Sequence, residues 1–190
     1  MKNIKVRTIT GVAILLAIEI IFQTLGNLIV IGPVNINLSL IPIAIAAIVY
    51  GPIAGGFLGL ANGIHVILTD GFFMPIAPGG TVLVCLLKCT IAGIVAGLIF
   101  RLFAKKNVVL GSIVASLLIP VINTGLFSAG AFTVLRPAID ANYSGPDVMR
   151  YVFLGLIGWN FVLEFTVTTA LAPAITKIMK IMTRTDKHAL

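Results

Sequence analysis

The chain has 190 residues, of which 59% are apolar and 10% charged, against about 45–50% and about 25% in a soluble domain. Its mean hydropathy of +1.14 excludes a water-facing globular domain and intrinsic disorder alike, leaving a small membrane protein with most of its mass in the bilayer. Thirteen bases against six acids give a net charge of +7, and the placement of those bases matters more than their sum.

A membrane helix needs about 20 mostly apolar residues, and the apolar runs predict six helices in one integral membrane domain covering residues 1–190. The basic start, Lys2, Lys5 and Arg7, resembles a signal peptide; with no soluble domain after it, residues 8–28 read as the first membrane helix. Gly26-Asn27 and the uncharged segment around Gly32-Pro33 read as a loop. Residues 37–69 carry no charge, and Gly51-Pro52 is the natural break in that stretch. It divides a short second helix over 39–50, barely long enough to cross, from a third over 53–68. Residues 69–80, rich in Pro and Gly, form a polar connection. The fourth helix covers 81–103 and stops at Ala104-Lys105-Lys106-Asn107. The fifth covers 108–135 with Pro120 as a kink, residues 136–150 form the longest polar loop, and the sixth helix covers 151–178.

An even number of spans puts both termini on one side. That side holds Lys2, Lys5, Arg7, Arg101, Lys105, Lys106, Lys177, Lys180, Arg184 and Lys187, whereas the opposite loops hold Arg136 and Arg150 beside Asp70, Asp140 and Asp147. The base-rich side is therefore cytoplasmic. The positive balance reflects topology and contact with anionic lipid headgroups; no basic patch with interleaved aromatics points to nucleic acid.

Small residues form three stripes. Gly51, Gly55, Gly59 and Gly63 recur every four residues on the third helix, and Ala92/Ala96 with Gly93/Gly97 repeat the device on the fourth. Ordinary close packing of helices accounts for both. Ala13 and Ala17 do the same on the first helix, where the functional reading is docking of a partner membrane protein.

Ionisable side chains at membrane depth are costly, face protein interiors and mark function. Glu19, Lys88 and Glu164 are of this kind. At 1.5 Å per residue, Lys88 lies about 10 Å inside the outer end of its helix. Asn160 and Asn123 reach a similar level on their own helices. Asn160 and Glu164, four apart, share a face, as do Thr81, Cys85 and Lys88. Two readings stand. Lys88 and Glu164 neutralise each other between helices, or the layer is a solute pocket open to the outside. A pair that exists when empty and is divided by a ligand satisfies both. Asn35 and Asn37 in the first outer loop and Arg136 in the last are candidate roof contacts, although plain loop chemistry also accounts for Asn37. Trp159 either stacks on a solute ring or faces lipid. Asn62 and His65, three apart, read as a local cap or pair, with a ligand role as the alternative. Glu19 lies on the side of its helix away from Ala13, and faces inward if Ala13 faces a partner.

Catalysis has little support. The chain carries no G-x-x-x-x-G-K-[ST] phosphate loop, H-E-x-x-H or G-x-S-x-G. Cys85 and Cys89, four apart in one helix, do not suit a disulfide, and with the distant His65 they make no zinc site. No metal or cofactor is expected. An intramembrane enzyme using Glu19, His65 or Glu164 lacks a convergent acid, base and nucleophile.

Several motifs resemble one family over the whole chain. They are Ala13-x-x-x-Ala17, the segment from Gly32-Pro33-Val34-Asn35 to Pro42, Tyr50-Gly51-Pro52-Ile53-Ala54-Gly55-Gly56, Asn123-Thr124-Gly125, and Asn160 with Glu164. Together they resemble the substrate-binding (S) components of energy-coupling factor transporters, in the riboflavin-transporter-like branch. The resemblance implies a vitamin-binding subunit of a prokaryotic cytoplasmic membrane. It docks through Ala13 and Ala17 on a transmembrane coupling subunit that two ATPase subunits drive. It also implies a pocket near the outer surface, which carries over onto Asn35, Lys88, Asn123, Asn160 and Glu164. Riboflavin binders of this branch have Asn and Lys close together on the last helix; here Glu164 follows Asn160, which argues against riboflavin. The Lys-bearing fourth helix and the Asn123-Thr124-Gly125-Leu126-Phe127 segment are similar to pantothenate-specific members. Lys88, with Arg136, suits a carboxylate through charge-assisted hydrogen bonds, so pantothenate leads. If Lys88 is instead consumed by Glu164, a pyridoxine-type vitamin fits better. A self-contained secondary transporter is the alternative of another class.

Overall fold

The computed structural model describes residues 2–31, 34–35, 37–69, 73–142 and 150–187. The chain is an all-α membrane protein. In order run α1 (Lys2–Leu28), a two-residue antiparallel ribbon of β1 (Val30–Ile31) and β2 (Val34–Asn35), α2 (Leu40–Val49), α3 (Pro52–Thr69), α4 (Pro78–Ala104), α5 (Val108–Thr133) and α6 (Arg136–Asn142). The last span enters through a π-helical segment, Tyr151–Gly158, and continues as α7 (Trp159–Lys187). Among the described residues five helices, α1, α3, α4, α5 and α7, are long and apolar enough to cross a membrane. Gly32, Pro33, Asp70 and Asp147 lie outside the described residues.

Burial is inverted relative to a soluble protein because lipid, not water, surrounds the bundle. Ile53 is 88% and Leu68 79% exposed, while Glu19 is 0% and Glu164 1% exposed. Apolar side chains lose nothing by facing acyl chains, whereas polar groups must find partners inside the protein. Exposed Ile9, Ile14 and Ile21 accordingly occupy the outer face of α1, and Glu19 and Gln23 the inner one.

The short α2 is the centre of the bundle and packs against α1, α3, α4, α5 and α7. Residues 40–44 and 46–48 are all buried, as expected of a helix that is apolar all round. Ten residues reach only about 15 Å, half of a roughly 30 Å hydrocarbon core. The sequence reading of α2 as a marginal span thus meets a physical limit. The helix starts partway through the bundle, and irregular backbone at that depth is tolerated because it is enclosed by protein.

The turn out of α2 needs glycine. Gly51 has φ +98°, a left-handed conformation that L side chains avoid. The Arg101 guanidinium occupies the space where its Cβ would stand. Pro52, with its φ pre-set, then opens α3. The same preference starts α4 at Pro78, three residues before the expected boundary. A further difference is α6, which lies inside the expected polar loop; an i,i+4 ion pair between Arg136 Nε and Asp140 Oδ2 at 2.6 Å spans it. Asn107 caps α5 by accepting from the backbone N–H of Val109 and Leu110, directly after the Lys105-Lys106 turn. The helix then runs on through Pro120.

The glycine stripe works as backbone contact. A Cβ on Gly55 would stand 2.6 Å from the Gly93 carbonyl oxygen, one on Gly59 2.2 Å from that of Cys89, and one on Gly63 2.8 Å from that of Cys85. These contacts run in opposite order along the two helices, so α3 and α4 are antiparallel and nearly touch along the seam. Dispersion and close packing, rather than hydrophobic transfer, hold such pairs together in lipid.

Gly59→Ala is therefore expected to destabilise by about 1–3 kcal/mol, the usual cost of overpacking a tight contact, because only backbone can yield. Gly79→Ala is its control, since a Cβ there meets nothing within 4 Å and its effect should stay within about 0.5 kcal/mol. Thermal unfolding of both variants in lipid nanodiscs measures the difference; equal melting temperatures would contradict the seam.

Candidate functional site

Two apolar clusters fill the bundle and leave a polar layer between them. The larger combines α2 with Leu15, Leu58, Ala92, Ala96, Ala115, Ile119 and Ile175, toward the end that carries Arg101, Lys105 and Lys106. The smaller joins Phe73, Val84, Ala131, Leu135, Ile139, Val152 and Ile157 at the end of α6. Between them every long helix contributes a buried polar side chain: Glu19 and Gln23 from α1, Asn62 from α3, Lys88 and Cys89 from α4, Asn123 and Thr124 from α5, Glu164 from α7.

Glu164 is the most fully partnered of these. Its Oε1 accepts from Asn160 Nδ2 at 2.9 Å and from Asn123 Nδ2 at 3.3 Å. Its Oε2 accepts from Asn123 Nδ2 at 3.2 Å and Thr124 Oγ1 at 3.3 Å. The spacing of Asn160 and Glu164 produces the expected shared face, and the helix pairing of α5 with α7 supplies the rest. Lys88 is 8% exposed. Its Nζ stands 4.8 Å from the centroid of the Phe127 ring, within the range of a cation–π contact. Phe127 in turn packs on Phe73, centroids 6.3 Å apart, so an aromatic pair closes the layer over Lys88.

The layer continues toward α1 through a thiol. Cys89 Sγ lies 3.6 Å from Asn123 Oδ1 and 3.3 Å from Asn62 Oδ1. Asn62 Nδ2 donates to Glu19 Oε1 at 3.0 Å and to Gln23 Oε1 at 3.3 Å, and also contacts Ser39 Oγ. Ser39, at the start of α2, donates to Asn37 Oδ1. The half-length helix thus begins at the polar layer, and its positive dipole end faces it.

Sequence expectations meet this geometry unevenly. Lys88, Asn123, Asn160 and Glu164 are brought together, and Thr81, Cys85 and Lys88 share a buried face. Asn37 joins the α1 side of the layer. Asn35 lies on β2, and its side chain falls outside the described residues. Arg136 is engaged by Asp140 on α6, and Trp159 is 50% exposed at the bundle surface. Ala13 and Ala17 are exposed while Glu19 is buried, the opposition expected for that helix. Asn62 corrects its sequence reading: its partners lie on α1, at the start of α2 and on α4, not in a local pair with His65, because the α3 face that carries it points inward.

Sequence reasoning missed Gln23, Ser39, Phe73, Cys89 and Thr124. One signal was present: Glu19, Gln23 and Asn27 are spaced by four, a polar stripe on an apolar helix, and Gln23 Nε2 does donate to Asn27 Oδ1 at 3.0 Å. Phe73 had none, since it sits in a connection expected to be polar.

The sequence matches the family described as ECF transporter, substrate-specific component, over residues 7–181. No curated protein and no solved structure matches the chain. The family places it among transporter subunits rather than enzymes, and implies association with an ECF module of coupling and ATPase subunits. A multi-pass bundle with a polar layer sealed inside it accords with that match over nearly its whole length, and the chain belongs to the substrate-specific components of ECF transporters.

Proposed function

We propose that the chain captures a water-soluble, carboxylate-bearing vitamin from outside the cell, with pantothenate the leading candidate. It passes the vitamin to a coupling subunit driven by two ATPases. In this reading the chain crosses a prokaryotic cytoplasmic membrane six times, α2 with its approach counting as one crossing, and both termini are cytoplasmic. The observation that carries the reading is the assembly of buried Lys88, Asn123 and Glu164 with half-buried Asn160 between two apolar clusters. One cation, one carboxylate and two amides converge where lipid offers no water, so the assembly is costly unless a polar solute uses it.

The chemistry divides naturally. Lys88 supplies the charge-assisted donor for a carboxylate. Glu164 and the amides of Asn123 and Asn160 accept from and donate to hydroxyl and amide groups. Phe127 and Phe73 exclude water above. Asn35, Asn37, Arg136 and Trp159 belong to the loops and helix end through which a solute enters. A pyridoxine-type solute is the second reading, favoured by the burial of Glu164 in the same layer as Lys88, a carboxylate that can balance the cation before any solute arrives.

Docking uses the opposite face of α1. Ala13 and Ala17 are exposed there, and small side chains let a partner helix approach closely. Solute binding at the polar layer and partner contact at Ala13 and Ala17 are separate surfaces, so they should be separable by mutation.

Two measurements test this. Lys88→Met should weaken pantothenate binding by about 10- to 100-fold, the equivalent of roughly 1.5–3 kcal/mol for a hydrogen bond to a charged group. Unchanged affinity in equilibrium dialysis would remove the carboxylate argument in favour of the pyridoxine-type solute. Ala13→Trp with Ala17→Trp should keep solute affinity within about twofold, since these side chains point away from the layer, yet abolish uptake when the energising module is co-expressed. Loss of binding in that variant would count against a docking role.

A further inference from the structure

We propose that the solute site extends past Cys89 to α1, where Glu19, Gln23 and Asn62 form a second subsite. It takes a hydrogen-bond-donating group of the solute, a hydroxyl or an ammonium. The inference rests on reading the polar layer as the solute site, and deepens it by assigning the other end of the ligand.

Proton accounting locates the unmet acceptor. The Asn62 amide carries two protons, and it spends them on Glu19 Oε1 and Gln23 Oε1. Ser39 spends its own proton on Asn37. Glu19 Oε2 is fully buried and has no hydrogen-bond partner among the described residues. The Cys89 thiol has one proton and two amide oxygens beside it, those of Asn62 and Asn123. Gln23 donates from its own amide to Asn27, so the acceptor left unmet among the described residues at the α1 end is Glu19 Oε2. At the other end both oxygens of Glu164 accept from protein donors. Buried polar groups are hydrogen-bonded as a rule, and an exception at a site calls for a missing partner. In a lipid-embedded bundle a donor from the solute fills that role.

The two subsites lie close together. Asn62 and Asn123 are no farther apart than two contacts with a single sulfur allow, so a small vitamin reaches both. A solute held at Lys88 by its carboxylate and at Glu19 by a hydroxyl touches α1 directly. That helix carries Ala13 and Ala17 on its other side, so solute occupancy bears on the helix proposed to dock.

The test uses the full-length protein in lipid nanodiscs with pantothenate and an analogue that keeps its carboxylate but lacks its hydroxyls. Glu19→Gln preserves shape and the acceptor for Asn62. It should weaken pantothenate at least about tenfold, leave the analogue within about twofold, and leave the solute-free melting temperature unchanged or higher, as when a residue kept for binding is replaced. Unchanged pantothenate affinity in Glu19→Gln, while Lys88→Met and Glu164→Gln weaken it, overturns the α1 subsite alone and makes the cluster structural. Unchanged affinity in all three variants, or a wild-type protein that binds none of pantothenate, pyridoxine and riboflavin, overturns the reading of the whole layer and the subsite with it.

Discussion

The α3–α4 seam is the contact on which the remaining geometry depends. In lipid, helices gain little by hiding apolar surface from one another, so association rests on how closely backbones pack and on hydrogen bonds across the gap. Gly55, Gly59 and Gly63 place the two backbones in contact with Gly93, Cys89 and Cys85. That approach brings Asn62 of α3 within 3.3 Å of the Cys89 thiol of α4. A side chain at any of these glycines would push the helices apart and break the polar layer at its middle.

The layer is possible because α2 is short. A full-length helix in the centre of the bundle would fill it with apolar side chains from one side to the other. Stopping at Ser39 leaves the region around Asn62 to polar groups, with the aliphatic cluster on one side and the cluster holding the Phe73–Phe127 pair on the other. Burial on this scale strengthens each electrostatic contact inside and penalises each one left unmade. In the proposed function, a ligand whose donors and acceptors complete the layer is what such an enclosure favours.

Legibility from sequence followed the range of each signal. Helix positions were readable because hydropathy over about 20 residues is a local property, and Gly51-Pro52 marks its break by backbone chemistry alone. Glu19, Lys88 and Glu164 announced themselves because charge is rare in such a chain. Asn160 with Glu164 followed from helical spacing. The α6 helix was not readable, since seven residues give too short a pattern to distinguish from a loop. Asn62 was read as local because nothing in α3 reveals which helix its inner face meets.

The sequence by itself determined the membrane class, the placement of the long apolar helices, the interior placement of the ionisable side chains and the opposed faces of α1, although α1 begins at Lys2 rather than residue 8 and the last helix runs to Lys187 rather than 178. Each of these follows from composition, period or covalent geometry within one segment. Only the tertiary structure decided that α2 sits at the centre, that Cys89 links the Glu19 and Glu164 ends of one network, and that Lys88 rests on the Phe127 ring. Those outcomes depend on which faces of different helices meet. In a bundle whose helices are nearly all apolar, hydropathy is the same on every side. The choice of faces falls to small residues and hydrogen-bonding partners far apart in the chain.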